Sequence, residues 1–184
     1  MGHPADRRAT YEDLLAVPEH LVAEIIHGQL VTQPRPAARH ARAASSLGGE
    51  LYGPFDRGKG GPGGWIILDE PELHLDGHVL VPDLAGWKRV RLPEIQDIVA
   101  IEVVPDWVCE VLSPSTSGVD RADKMPLYAT LGVAYLWLID PLARTLEAYH
   151  LEATRYLVLG TWRENAVVQA EPFDAIGLEL AALW

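Results

Sequence analysis

A chain of 184 residues, 48% hydrophobic and 22% charged, has the balance of a water-soluble globular domain and is long enough to bury a substantial core. Its formal net charge of −11 excludes holding nucleic acid by bulk attraction, because duplex binding requires cationic groups that displace counterions. The one cysteine, Cys109, excludes a disulfide framework within the chain, and no run approaches the ~20 apolar residues that cross a bilayer.

From the N-terminus, Met1 to Arg8 lead into no apolar stretch, so no signal peptide is expected and the protein is read as cytoplasmic, with residues 1–9 an irregular arm. Thr10 and Asp13 predict an N-cap opening a short helix to Ala16 that stops near Pro18. "LVAEIIHGQLVTQP" reads as two strands meeting at His27-Gly28, a tight turn that uses the freedom of glycine at positive φ. Ala37 to Leu51 reads as an amphipathic helix. "DRGKGGPGG" lacks the order of a phosphate-binding loop and reads as a flexible connector.

"WIILDEPELHL" and "HVLVPDLAGW" are strand-like, joined at Asp76-Gly77, and "RVRLPEIQDIVAIEVV" is an excursion. Trp107 to Leu112 is the clearest buried strand, and Asp120 to Leu131 a helix capped by Gly132. Further strands are expected at "AYLWLID", "TLEAYHLEATRYLVLGTW" and "AVVQAEPF". The order gives one α+β (mixed α/β) domain over residues 1–184, built on a central sheet. Leu180, Leu183 and Trp184 read as exposed apolar residues that hint at a homodimer. Arg35, Arg39 and Arg42, and separately Lys88, Arg89 and Arg91, are the two basic clusters; a solvated face is the simpler account of each.

The chemistry concentrates in carboxylates. Glu110 interrupts an apolar strand, and Asp83 ends the preceding apolar run. On neighbouring strands at one level they would repel each other and suffer desolvation unless something positive lay between them. A divalent cation with hard oxygen ligands, Mg²⁺ or Mn²⁺, is one solution; a structural ion pair with Arg or Lys serves equally well. Lys124, with Tyr128 four residues on, could carry an ammonium over Asp83 and Glu110 to orient a water or stabilise developing charge, or could merely pair with Asp120 or Asp123. Asp106 follows a second proline, but four extended residues hold it ~13 Å from Glu110, too far to share an ion, so it is read as the start of the strand. His74, His78 and His150 lack ligand spacing and read as exposed strand residues. Ser113, Ser115 and Thr116 lack a nucleophile elbow and read as a turn with capping hydroxyls.

"VPDLAGWKRVRLPE" followed by "VPDWVCEVLSPSTSGVDRADKMPLYATLGVAYLWLIDPLARTLEAY" closely resembles the Uma-type family of predicted endonucleases, within the PD-(D/E)XK or restriction-endonuclease-like superfamily. The resemblance runs from Thr10 to the C-terminus and is most specific in "EVLSPST", Lys124 to Tyr128 and "YLWLIDP"; "AEIIHGQLV" is similar to the family's Glu-containing hairpin, and His40 to a His that opens its first long helix. It implies a restriction-endonuclease-like core, a central mixed sheet flanked by helices with an N-terminal β-hairpin. It implies Asp83, Glu110 and the Val111 main-chain carbonyl as metal ligands, Glu24 as an additional acid, and DNA as substrate. The superfamily lysine two residues after the acid is Leu112 here, so Lys124 would be its relocated substitute.

Two expectations follow: a metal-dependent DNA endonuclease, or a catalytically inert module of the same fold used for self-association or partner binding. The charge of −11 and Leu112 favour the second.

Overall fold

The computed structural model describes residues 7–184; of the expected arm, residues 1–6 lie outside the described residues, while the Ala9 amide donates to the Gly28 carbonyl at 2.8 Å. Helix α1 (Tyr11–Leu15) starts with the expected capping box, the Thr10 hydroxyl accepting from the Asp13 amide and the Asp13 carboxylate from the Thr10 amide. Strands β1 (Leu21–Ile26) and β2 (Gln29–Pro34) form an antiparallel hairpin. Its turn residues His27 and Gly28 both take positive φ, which suits the twist of a two-residue hairpin. Helix α2 (Ala38–Leu51) follows and continues through a wide turn, Tyr52–Asp56.

Each of the two long strand-like runs is broken by a proline and divided between sheets. Strand β3 (Trp65–Asp69) ends before Pro71, β4 (Leu73–Leu75) and β5 (His78–Leu80) form a small hairpin, and β6 (Leu84–Lys88) starts after Pro82. Proline cannot donate to a ladder, so the chain leaves one sheet and enters the other there. The inner pair β4–β5 joins the first hairpin in a sheet of order β2-β1-β5-β4; the outer pair β3–β6 joins the main sheet. The segment between β6 and β7 (Trp107–Val111) contains only one bridge, Leu73 to Ile101, as befits an excursion.

After β7 the chain forms α3 (Ser117–Val119), a wide π-type turn (Asp120–Lys124) and α4 (Met125–Leu131), closed by Gly132 at φ 84°. Strands β8 (Tyr135–Asp140), β9 (Thr145–Glu152) and β10 (Arg155–Arg163) complete a six-stranded sheet of order β10-β9-β8-β7-β6-β3. Only the β7–β8 pair is parallel, with α3 and α4 making the crossover, so the sheet is mixed. "AVVQAEPF" yields only the two residues of β11 (Val167–Val168), paired with β12 (Leu178–Glu179).

Two cores sandwich the main sheet. Ala43, Leu47 and Leu51 of α2 pack with Trp107, Cys109, Val111 and Trp137 on one face. On the other, Val108, Leu112, Leu136 and Leu138 meet Leu127 and Tyr128 of α4 and Leu73, Leu75 and Leu80 of the small sheet. Strand alternation thus aims Glu110 into the second core with Val108 and Leu112. The C-terminal turn corrects one expectation: Leu180 and Leu183 are fully buried in the α2 core, not exposed, so they give no support to a dimer. No helix of the described residues is long and apolar enough to cross a membrane.

Leu47 is wholly enclosed. Leu47→Ala should therefore lower unfolding free energy by about 2–5 kcal/mol in urea titrations.

Candidate active site

The site lies where the two sheets meet. Register between β6 and β7 pairs Leu84 with Cys109, so one further step sets Asp83 opposite Glu110. Asp83 is fixed from both sides: the Val111 amide donates to Oδ2 at 2.7 Å, and His40 Nε2 stands 3.3 Å from Oδ1. His40 sits in the first turn of α2 and is 8% exposed.

Lys124 makes the second half. Its Nζ is 2.8 Å from Glu110 Oε1 and 3.0 Å from Glu24 Oε1, with all three side chains 3% exposed. The Tyr128 hydroxyl donates to Glu110 Oε1 at 2.6 Å, and the Val81 amide to Glu24 Oε1 at 2.8 Å. Their spacing of four puts Lys124 and Tyr128 on one face, and both reach the same carboxylate. Lys124 was expected over Asp83 and Glu110; it spans Glu24 and Glu110 instead, and His40 is the partner of Asp83.

Burial pushes the Glu110 carboxyl well above the usual range against the pull of Lys124. For Lys124, burial opposes the charge, but Glu110 and Glu24 outweigh it and hold the ammonium firmly protonated. Tyr128 is likewise pushed up by burial and by Glu110. Burial lowers His40, yet the hydrogen bond and charge of Asp83, with the Val111 carbonyl adding to them, leave it raised overall. Asp120, 4% exposed and read from the sequence only as an alternative partner of Lys124, is pushed up to about 6, chiefly by burial, with Lys124 and a Thr116 hydrogen bond opposing. Its spacing of four before Lys124 was the available signal.

Glu24, His40, Asp83, Glu110, Asp120 and Lys124 line one cleft of about 620 Å³, together with Arg35, Ser113, Ser115 and Thr116. The Ser113 hydroxyl is hydrogen-bonded to those of Ser115 and Thr116, each at 3.0 Å, in the expected turn. Leu112 is buried in the second core, so the slot two residues after Glu110 is apolar and contributes nothing to the site. Among the described residues, no three His, Cys, Asp or Glu side chains are gathered as one metal-binding group; the acids stand as two partnered sets.

Other residues singled out from the sequence lie elsewhere. Asp106 accepts from the Lys88 amide at 2.9 Å and pairs with Arg91 at 3.0 Å, a structural role at the start of β7. Arg89 pairs with Asp56, and Lys88 lies over the Trp65 ring, so that basic cluster serves the fold. His74, His78 and His150 are half-buried, not exposed; they contact Glu72, the His27 amide and the Tyr135 ring.

The Uma2 family model, described as "Putative restriction endonuclease", matches residues 8–182. The chain belongs to this family. A crystal structure from Anabaena variabilis ATCC 29413, described as a putative nuclease belonging to DUF820, matches with a TM-score of 0.75 at 23% identity, over 95% of this chain and 97% of that one. It establishes the fold: a mixed central sheet, flanking helices and an N-terminal hairpin, as expected. No curated protein matches the chain. In this Uma2 chain, then, Lys124 and Tyr128 come together on one carboxylate, Glu110.

Asp120 supplies a pH test. Its folded-state pKa of about 6 lies above the ordinary 3.8, so its favourable contribution is complete below pH 3.8 and lost as pH rises through 6. Asp120→Asn should exceed the wild type in stability above pH 6 by about 2–3 kcal/mol, with the difference vanishing below pH 4, in metal-free urea titrations. Lys124→Met, leaving two acids buried without their cation, should cost about 3–5 kcal/mol at pH 7.

Proposed function

We propose that the chain hydrolyses phosphodiester bonds in DNA with a divalent cation, Mg²⁺ or Mn²⁺, held by Asp83, Glu110 and the main-chain carbonyl of Val111. The observation that carries this reading is a lysine ammonium, 3% exposed, between two equally buried carboxylates at the wall of an open cleft. A structural ion pair needs one acid; here Glu24, Asp83, Glu110 and Asp120 line the cleft against Lys124 and His40. That excess of acid suits a further cation, and carboxylate and carbonyl oxygens are donors that Mg²⁺ and Mn²⁺ accept. The family description, restriction endonuclease, points to DNA.

When bound, the cation would supply Lewis-acid neutralisation of a phosphate oxygen and activation of a water. The protein's own groups do the positioning. The Val111 amide and His40 hold the Asp83 carboxylate still. Glu24 anchors Lys124 from the side opposite Glu110, so the ammonium is oriented without a solvent shell to reorganise. Because those acids keep Lys124 protonated, its role is that of a cationic hydrogen-bond donor to a phosphate oxygen, not of a proton acceptor. Arg35 at the cleft, with exposed Arg39 and Arg42 on α2, offers positive charge for flanking phosphates. The inert-module reading rests on the charge of −11 and on Leu112; the ammonium of Lys124 beside Glu110 favours the catalytic reading against the second of these grounds.

Purified protein should nick or cleave plasmid DNA with Mg²⁺ or Mn²⁺. Asp83→Ala and Glu110→Ala should abolish cleavage with the circular dichroism spectrum preserved, and Lys124→Met should slow it about 10²–10³-fold. Metal-dependent cleavage that survives both alanine variants overturns the assignment. Mn²⁺ at a hundred times its Kd should also stabilise the wild type by about 2.7 kcal/mol, and not Asp83→Ala.

A further inference from the structure

The cleft that holds Glu110 and Lys124 is acidic within and partly apolar towards solvent. Six carboxylates line it against Lys124, His40 and Arg35, so it repels phosphate wherever no cation intervenes. The Glu110 and Lys124 side chains are 3% exposed, and a scissile phosphate has to come down to them. The lining nearer solvent includes Leu14, Leu15 and Val17, in and just after α1, and Leu21 and Val22 of β1. Leu15 is 65% exposed and the other four are half-buried, so apolar surface stays open to a ligand here. Positive charge forms one stripe beside it. Arg35 precedes α2, Arg39 and Arg42 lie three apart on that helix, and all three are exposed. The other basic cluster gives no second stripe, because Arg89 is paired with Asp56 and Arg91 with Asp106.

These features discriminate between two forms of DNA. A duplex carries one charge per about 1.7 Å and a single strand one per about 3.4 Å, so a chain of net charge −11 with one basic stripe repels the duplex more. A duplex is also stiff over about 150 base pairs and keeps its bases stacked inside. It neither bends a phosphate down to a nearly enclosed ammonium nor makes use of an apolar wall. A single strand does both, its backbone following cationic groups while its unstacked bases lie on an uncharged surface. We infer that the substrate is single-stranded DNA, or an unpaired stretch within a duplex, with its backbone along Arg35, Arg39 and Arg42 and its bases against Leu14, Leu15 and Val17. The inference rests on the phosphodiesterase reading above and deepens it. Negative supercoiling favours strand opening, so a supercoiled plasmid is nicked while its relaxed linear form is a poor substrate.

The deciding measurement gives the full-length protein, with Mn²⁺, one DNA sequence in three forms. These are the single strand, the linear duplex, and the duplex with a central unpaired stretch of about 10 nucleotides, near the site sizes of single-strand binders. The single strand and the interrupted duplex should be cut about tenfold or more faster than the linear duplex, with cuts in the interrupted duplex confined to its unpaired stretch. Leu15→Gln, at a position 65% exposed and outside the buried core, should raise KM for the single strand about fivefold, the lower end of what one base contact is worth. Equal rates on the single strand and the linear duplex, or cuts within paired arms, overturn the inference and leave the nuclease reading standing. An unchanged KM in Leu15→Gln overturns the assignment of the bases to that wall. No cleavage of any of the three forms overturns both readings.

Discussion

The structure turns on one buried ammonium. Lys124 Nζ lies between Glu24 and Glu110, and each contact comes from a different part of the chain: the N-terminal hairpin, the centre of the main sheet and the crossover after it. Removing either acid or the lysine from such a set leaves an uncompensated charge in a dry interior, which is costly. The small sheet, the main sheet and the crossover are thereby bound into one arrangement, and the apolar packing around Tyr128 and Leu127 keeps water from relieving it.

Stability and chemistry conflict at this point. Glu110 occupies a slot on β7 whose neighbours on the same face, Val108 and Leu112, are core residues; an apolar side chain there would pack without desolvation cost. Asp120 adds a further acid whose burial lifts its pKa to about 6. Groups perturbed in this way, gathered in one cleft, are the basis of the activity proposed above. The basic cluster at Lys88, Arg89 and Arg91 is the counter-example: its charges are spent on Asp56, Asp106 and an aromatic face at the sheet's margin, and its exposure leaves it with modest energetic weight.

Local elements were legible because their signals are local. Thr10 and Asp13 gave a capping box, His27-Gly28 a hairpin turn and Gly132 a left-handed cap, each set by a few neighbouring atoms. The division of two strand-like runs between two sheets was less legible, although Pro71 and Pro82 marked the breaks. Burial was the weakest inference. Leu180 and Leu183 read as surface residues near a terminus, but their exposure depends on whether α2 lies across them, which no local pattern records.

By itself, then, the sequence determined that a carboxylate sits in the central strand, that an acid precedes the neighbouring strand and that Lys124 and Tyr128 lie four apart on the crossover. These are properties of composition and spacing. Only the tertiary structure decided the partners: Lys124 spans Glu24 and Glu110, while Asp83 falls to His40. The reason is geometric. The crossover returns Lys124 over Glu110 of β7, and the docking of the N-terminal hairpin beside β5 brings Glu24 to meet it there. Both depend on contacts between segments far apart in the chain, where the periodicity of any one segment carries no information.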